Sequence, residues 1–294
     1  MSTKPKILLQ FDSDQHPSVF DSVVAIDSGV DQLLPFGSVE AVDVRELVHG
    51  AMFTRGGESL KKTAIFIGGS RVKSAEQILR AVVDCFFGNI RVSVMLDANG
   101  ANTTASAAVL CLQRHLPVNE ITVGVLGATG SVGQRVCRLL SSQDAKVRIG
   151  SRSLSRATSL ASHIQESGSR GPLTPMTTDG PRDLEQFVKG CDALIATGAA
   201  GVQLLKQEQW QGLNALKVAI DLNAVPPEGI ESIEVTSAGQ DVSGKLVYGA
   251  IGVGNLKMKI HKCAIATLFE SNDHILDLEA IYDIGKKLEH ASDI

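Results

Sequence analysis

Residues 121–133 read ITVGVLGATGSVG, and this stretch constrains the fold more than any other. An apolar run, Ile121 to Leu126, is long enough for one buried strand; it breaks at Gly127 and enters a segment whose Val132, Val136, Leu139 and Leu140 share a helical face. A strand that turns into a helix implies a parallel neighbour, and hence an α/β layer. Glycines at such a turn bend the chain tightly and let backbone N–H groups approach a pyrophosphate at the positive end of the helix. The spacing of Gly127, Gly130 and Gly133 is GxxGxxG instead of GxGxxG, so the motif draws its weight from the order strand, turn, helix. Gly127, Ala128, Thr129, Gly130, Ser131 and Val132 are the cofactor candidates here, with Gly133 allowing close packing of the helix. A glycine turn without a ligand is the alternative.

The next strand, Lys146 to Ile149, runs into Gly150-Ser151-Arg152-Ser153, with Arg156 following. An NAD site would place an Asp or Glu near this point to hold the ribose 2′-hydroxyl. Arg152 and Arg156 reverse that charge, and guanidinium groups with the Ser151 hydroxyl suit a 2′-phosphate. NADP is therefore expected, with NAD as a weaker possibility; solvated arginines at a helix start are the alternative. Thr197-Gly198 and Asn223 also follow strand-like runs and are candidates to line the nicotinamide half of the cofactor, although tight turns alone would explain the glycines.

At about 150 residues per domain, 294 residues suit two domains. Strand-like runs at Lys6–Phe11, Ala64–Ile67 and Arg91–Leu96 alternate with helical patterns. One helix carries Val19, Val23 and Ile26 as its apolar stripe, the second Ile78, Val82 and Phe86, and a third should run from Asn102 to His115, capped by Asn102 or Thr103. After a linker at 116–120 the alternation restarts; 167–181 reads as a polar surface loop, and a helix is expected over Leu256–Ser271. The expected fold is α/β with two domains. An N-terminal parallel α/β domain spans 1–115, a Rossmann-type NADP-binding domain spans 116–250, and a C-terminal helical segment, 251–294, packs back on the first.

The net charge of −4 supplies no global positive field for nucleic acid or an anionic membrane. Five cysteines without a CxxC pair suggest free thiols in a reducing compartment. The start MSTKPKILLQF lacks the pattern of a secretory signal, and no apolar run nears the ~20 residues of a membrane span, so a cytoplasmic location is expected. The seven histidines are scattered, without HxH or HxxxH pairs, so no metal is expected; no GxSxG elbow occurs either.

In the first domain, polar residues gather after each strand-like run: Asp12-Ser13-Asp14, Gly68-Gly69, and Asp97 through Thr104. They should converge on one rim. A carboxylate with amides can read the hydrogen-bonding edge of a flat heterocycle such as a pterin, while helix capping and strand ending are the plainer roles for Asp97, Asn102 and Thr103.

The segments FDSDQHPSVFD (11–21), FTRGG (53–57), AIFIGG (64–69), MLDANGANTT (95–104) and GAIGVGNLKMKIHKCAIATLFES (249–271) together resemble the NADP-dependent methylene-tetrahydromethanopterin and methylene-tetrahydrofolate dehydrogenases of C1-metabolising bacteria. The resemblance spans nearly the whole chain. It implies an N-terminal pterin-binding domain, an inserted NADP domain, a cleft between them and a homo-oligomer, trimer or hexamer. Family members commonly carry GTGPVG at the turn where this chain has GATGSVG. By the same resemblance Lys257 matches an active-site lysine, and Asp14, Phe20, Asp97, Asn99, Asn102, Thr103 and His261 become candidates to bind the tetrahydromethanopterin-type carrier. A helix from Leu256 would put Lys257 and His261 on one face, although each could instead be a solvated helix residue.

Loss of hydride from a methylene-tetrahydropterin leaves a methenyl cation spread over N–C–N, and no proton moves. Such a reaction asks for positioning, with no general acid or base. Lys257 is accordingly expected to orient the substrate instead of stabilising a cation. The alternatives are the folate-linked reaction, a shikimate-dehydrogenase-like reductase, or a non-catalytic NADP-binding regulator.

Overall fold

The computed structural model describes residues 4–292. They hold twelve strands: β1 (Ile7–Asp12), β2 (Gln32–Phe36), β3 (Thr63–Gly68), β4 (Ser93–Leu96), β5 (Thr122–Leu126), β6 (Lys146–Ser151), β7 (Leu173–Thr177), β8 (Ala193–Ala196), β9 (Val218–Asp221), β10 (Ala238–Val242), β11 (Lys245–Tyr248) and β12 (Ile275–Leu276). Ten α-helices accompany them: α1 (Val19–Asp27), α2 (Val44–Phe53), α3 (Val72–Asp84), α4 (Ala101–Gln113), α5 (Ser131–Ser141), α6 (Leu154–Glu166), α7 (Pro181–Val188), α8 (Gln207–Trp210), α9 (Ala250–Thr267) and α10 (Leu278–Ser292). The chain divides into two compact units, 1–103 with 258–294, and 104–257; the divisions fall inside α4 and α9.

The sheet of the first unit is wholly parallel, in the order β12-β4-β3-β1-β2. The C-terminal segment returns to it through a strand as well as helices, Ile275 pairing with Val94 and Leu276 with Met95. Its central strands β3 and β4 are buried along their whole length, as strands covered on both faces must be. On one side Val44, Val48 and Met52 of α2 pack with Ile78 and Val82 of α3 against Ile65, Ile67 and Val94.

The second unit has the order β10-β11-β9-β8-β5-β6-β7, parallel except for the β10–β11 pair. Taken from β5, the parallel strands run third, second, first, fourth, fifth, sixth across the sheet, which is the Rossmann arrangement.

Several expectations need correction. The polar stretch 167–181 contains β7, and β2 was not anticipated; both are sheet edges and both carry a proline, Pro35 and Pro175, whose missing N–H is tolerated only where no neighbour needs it. The helix expected from Leu256 begins six residues earlier, at Ala250. On α1 the stripe Val19, Val23 and Ile26 faces solvent, and Val24 and Ala25 are the buried pair. Ser22 Oγ donates to Gln10 Oε1 of β1 at 2.8 Å, which turns the Ser18–Ser22–Ala25 side inward and the aliphatic stripe out.

All five cysteines are free; Cys111, Cys137 and Cys191 are buried, Cys85 and Cys263 half-buried. Among the described residues no helix is long and apolar enough to cross a membrane, and no cluster of three or more His, Cys, Asp or Glu is placed to hold a metal.

Candidate active site

Both sheets have a switch point, where neighbouring strands send their connections to opposite sides, and ligands of open α/β sheets bind beyond the carboxyl ends of the strands there. In the second unit the switch lies between β5 and β8. Gly127 follows β5 at φ 67°, and a Cβ there would come within 2.9 Å of Gly198 Cα, which follows β8. This turn requires glycine because it is left-handed and because another backbone passes beside it. A Cβ on Gly133 would lie 2.6 Å from Ala128 Cα and 2.6 Å from Thr197 Oγ1, so the first turn of α5 rests directly on both loops. Ala128 is buried, its N–H donating to Gly150 O at 3.0 Å. Gly130 is exposed as the N-cap of α5, with Ser131, Val132 and Thr129 half-buried beside it. The N–H groups at this end have no helical partner.

Thr197 Oγ1 donates to Leu126 O at 2.8 Å, tying β8 to β5. Asn223, expected as a direct cofactor contact, is buried and committed to its own loops, accepting from Gly201 N and Val225 N and donating to Pro227 O. At the end of β6, Ser151 is buried and its hydroxyl accepts from Ser153 N at 3.2 Å. Arg152 and Arg156 are exposed and stand in no ion pair among the described residues. Exposed guanidiniums and an open helix start are the kinds of group that bind phosphates such as those of NADP.

In the first unit the switch lies between β1 and β3, with Asp12 level with Gly68. The strand ends do converge. Asn99 N donates to Gly69 O at 2.8 Å, Asp97 N to Ile67 O at 3.1 Å, and Ser38 N to Asp14 O at 2.7 Å. The carboxylates of this rim serve backbone N–H groups. Asp12 accepts from Asp14 N and Ser18 N; Asp14 accepts from Ser70 N at 2.8 Å and Ser70 Oγ at 2.9 Å, just before α3; Asp97 Oδ1 accepts from Asn102 N and Thr103 N. Asp97 thus caps α4, which corrects the expectation that Asn102 or Thr103 would. Asn102 Nδ2 is turned back on Leu96 O at 2.6 Å and Thr103 Oγ1 on Asp97 Oδ2 at 2.6 Å, all three side chains being buried. Asp97, Asn102 and Thr103, expected as readers of a heterocycle, are thus joined by bonds that shape the rim. Asn99 is exposed at φ 55°, a left-handed conformation uncommon outside glycine, and Asp14 is half-buried.

Lys257 and His261 sit one turn apart on α9, Lys257 half-buried. His261 is fully buried, its ring stacked on Phe66 with centroids 5.7 Å apart and tilted against Phe20 at 6.3 Å. It supports the half-exposed Phe20 and is not a solvated helix residue. Sequence reasoning passed over Ser70, which anchors Asp14. Asp221, in the strand-end segment 221–224 that also holds Asn223, is buried at the end of β9 and accepts from Asn223 N at 3.1 Å and Ile230 N at 3.0 Å. Burial pushes the Asp221 carboxyl above its ordinary value despite these bonds. The only sign of Ser70 in the sequence was position, a polar residue just after a strand.

Comparison with known proteins finds a different family match in each unit. Residues 19–99 match the family described as "Methylene-tetrahydromethanopterin dehydrogenase, N-terminal", and residues 127–251 match a family described as "NAD(P)H-binding". The bifunctional protein MdtA of Methylorubrum extorquens AM1 is 39% identical over 285 residues, covering 96% of this chain and 99% of that protein. An NAD(P)-dependent methylenetetrahydromethanopterin dehydrogenase of the same organism is 28% identical, covering 93% and 95%. Among solved structures, quinate dehydrogenase from Corynebacterium glutamicum in complex with NAD shares the fold, with a TM-score of 0.52 at 12% identity over 96% of this chain and 99% of that one. With a relative at this identity aligned from end to end, the chain belongs to the methylene-tetrahydromethanopterin dehydrogenase family.

Proposed function

We propose that the protein oxidises methylene-tetrahydromethanopterin to the methenyl form with NADP, as a direct hydride transfer in one-carbon metabolism. The observation that carries the reading is the family match over residues 19–99, which falls on the unit whose strand-end rim lies at a sheet switch point. The second unit, with its Rossmann strand order, holds the nucleotide. NADP, when bound, supplies the nicotinamide carbon that accepts the hydride.

The chain's own residues bind and orient. The N–H groups of Ser131 and Val132 at the start of α5 hold the pyrophosphate, and Arg152 and Arg156 with Ser151 recognise the 2′-phosphate. In the first unit Asn99, Asp14 and Phe20 present polar and apolar surface to the pterin. Asp97, Asn102 and Thr103 keep the loop that carries Asn99 in shape, and His261 backs Phe20. Lys257 fixes the substrate through a hydrogen bond from its ammonium group to a pterin carbonyl. No proton leaves the substrate, so none of these groups has to titrate. We further read the protein as a cytoplasmic homo-oligomer, supported by its free thiols and by the apolar stripe Val19, Val23 and Ile26 left facing solvent.

The test is to mix the purified protein with NADP and methylene-tetrahydromethanopterin, then with methylene-tetrahydrofolate, and follow the absorbance of NADPH. Growth of the signal with the methanopterin carrier is expected. A response to the folate carrier alone would move the substrate, and none with either would overturn the enzymatic reading.

A further inference from the structure

We propose that three exposed aliphatic side chains of the second unit seat the two rings of the dinucleotide, Leu154 the adenine and Val202 with Val225 the nicotinamide, and that Asn223 is the positioning residue for that pair. The inference rests on the nucleotide reading above and assigns its apolar contacts.

Among the described residues from 104 to 257, four large apolar side chains are exposed: Leu154 (52%), Val202 (43%), Val225 (50%) and Ile251 (51%). A scattered exposed aliphatic is ordinary, so their placement decides the matter. Leu154 follows β6, Val202 follows β8 and Val225 follows β9, each beyond the carboxyl end of its strand. In the sheet, β6 lies on one side of the β5–β8 switch point, and β8 with β9 on the other. A dinucleotide crosses such a sheet with its pyrophosphate at the glycine turn, so its rings fall to opposite sides. The side bearing Arg152 takes the adenosine, and the β8–β9 side takes the nicotinamide. Flat heteroaromatic rings are held mainly by apolar contact, with a few polar groups setting their orientation.

The two valines stand on separate loops that the structure ties together. Asn223 Oδ1 accepts from Gly201 N at 3.2 Å and from Val225 N at 3.0 Å, and Nδ2 donates to Pro227 O at 2.8 Å. Leu204 N and Leu205 N both donate to Gly229 O, at 2.8 and 3.0 Å. A Cβ on Gly201 would come 3.9 Å from Val225 Cγ1, so the loops also touch beside the valine. Both lone-pair sides of the Asn223 carbonyl serve backbone N–H groups, and the residue acts on a ligand through the loops it joins.

Isothermal titration with two probes tests this: NADP, and 2′-phospho-ADP-ribose, which is the same molecule without the nicotinamide ring. Val202→Ser and Val225→Ser change exposed positions and should leave the fold intact. Each should weaken NADP about three- to tenfold, the effect of exposing part of one aliphatic side chain, and leave the fragment within about twofold. Leu154→Ser should weaken both probes by the same factor. Asn223→Ala should reproduce the valine pattern, and an unchanged ratio of the two affinities would remove its positioning role. Should that variant not fold, the valine variants decide. Equal losses for both probes in the valine variants, or no loss, would overturn the assignment. A wild-type chain that binds neither probe would overturn the nucleotide reading itself, before any substitution is made.

Discussion

Thr103 Oγ1 lies 2.6 Å from Asp97 Oδ2, and neither side chain is exposed. The same carboxylate accepts two backbone N–H groups at the start of α4, so one residue ends β4, caps the next helix and fixes the loop that carries Asn99. Thr103→Val keeps the shape of the side chain but leaves a buried carboxylate short of a donor. Stability should fall by about 1–3 kcal/mol. In urea unfolding the midpoint should drop with the slope unchanged. An unaltered midpoint would show that the bond contributes nothing.

Gly133 tests the close fit of α5 on the loops after β5 and β8. An alanine would bring its Cβ to 2.6 Å from both Ala128 Cα and Thr197 Oγ1, one of which is backbone and cannot rotate away. Gly133→Ala should destabilise by about 1–3 kcal/mol through overpacking, and the shift of the turn should abolish tight NADP binding. Thermal unfolding and calorimetric titration read the two effects separately. Wild-type affinity in a destabilised variant would uncouple the turn from the nucleotide.

What could be read in the sequence was local. The run from Ile121 through Gly133 announces strand, turn and helix within thirteen residues, and β5 and α5 lie where that pattern puts them. The second strand end with Arg152 was legible for the same reason. By contrast, β2 and β7 are short, contain proline and lie at sheet edges, where the alternation of a half-buried strand is weak. The facing of α1 depends on a bond from Ser22 to Gln10, twelve residues apart, which no helical period reveals. The rim residues were found but the reach of one bond was not: Asp97 caps α4 across an intervening 3₁₀ turn, at a distance from the helix that ordinary capping patterns do not search.

On the proposed reading, Arg152 is the residue that would separate the two nicotinamide cofactors. It is exposed at the end of β6 and unpaired with any acid among the described residues, so its charge is available to a phosphate. Arg152→Ala should weaken NADP by tenfold or more, roughly the loss of one charge-assisted pair, and NAD by less than about threefold. The wild-type preference should also shrink as salt is raised, since the site is open to screening. Equal losses for both cofactors would remove Arg152 from the 2′-phosphate site.

Asp221 should leave a signature in the acid limb of the stability profile. Burial raises its carboxyl above the ordinary value of 3.8, outweighing the backbone N–H groups of Ile230, Asn223 and Gly229 that favour the charged form. The folded chain therefore binds this proton more tightly than the unfolded chain. The stabilisation is fully present below the unfolded value and is lost as pH rises through the higher folded one. Asp221→Asn is neutral throughout; it loses an acceptor for one backbone N–H and should be less stable by an offset that does not vary with pH. Unfolding free energies of the two proteins, measured from about pH 3.5 upward, should thus show the wild-type advantage shrinking as the pH is raised. An advantage that stayed constant would mean that burial and the backbone hydrogen bonds of Asp221 cancel, and one that grew would mean that the bonds outweigh the burial.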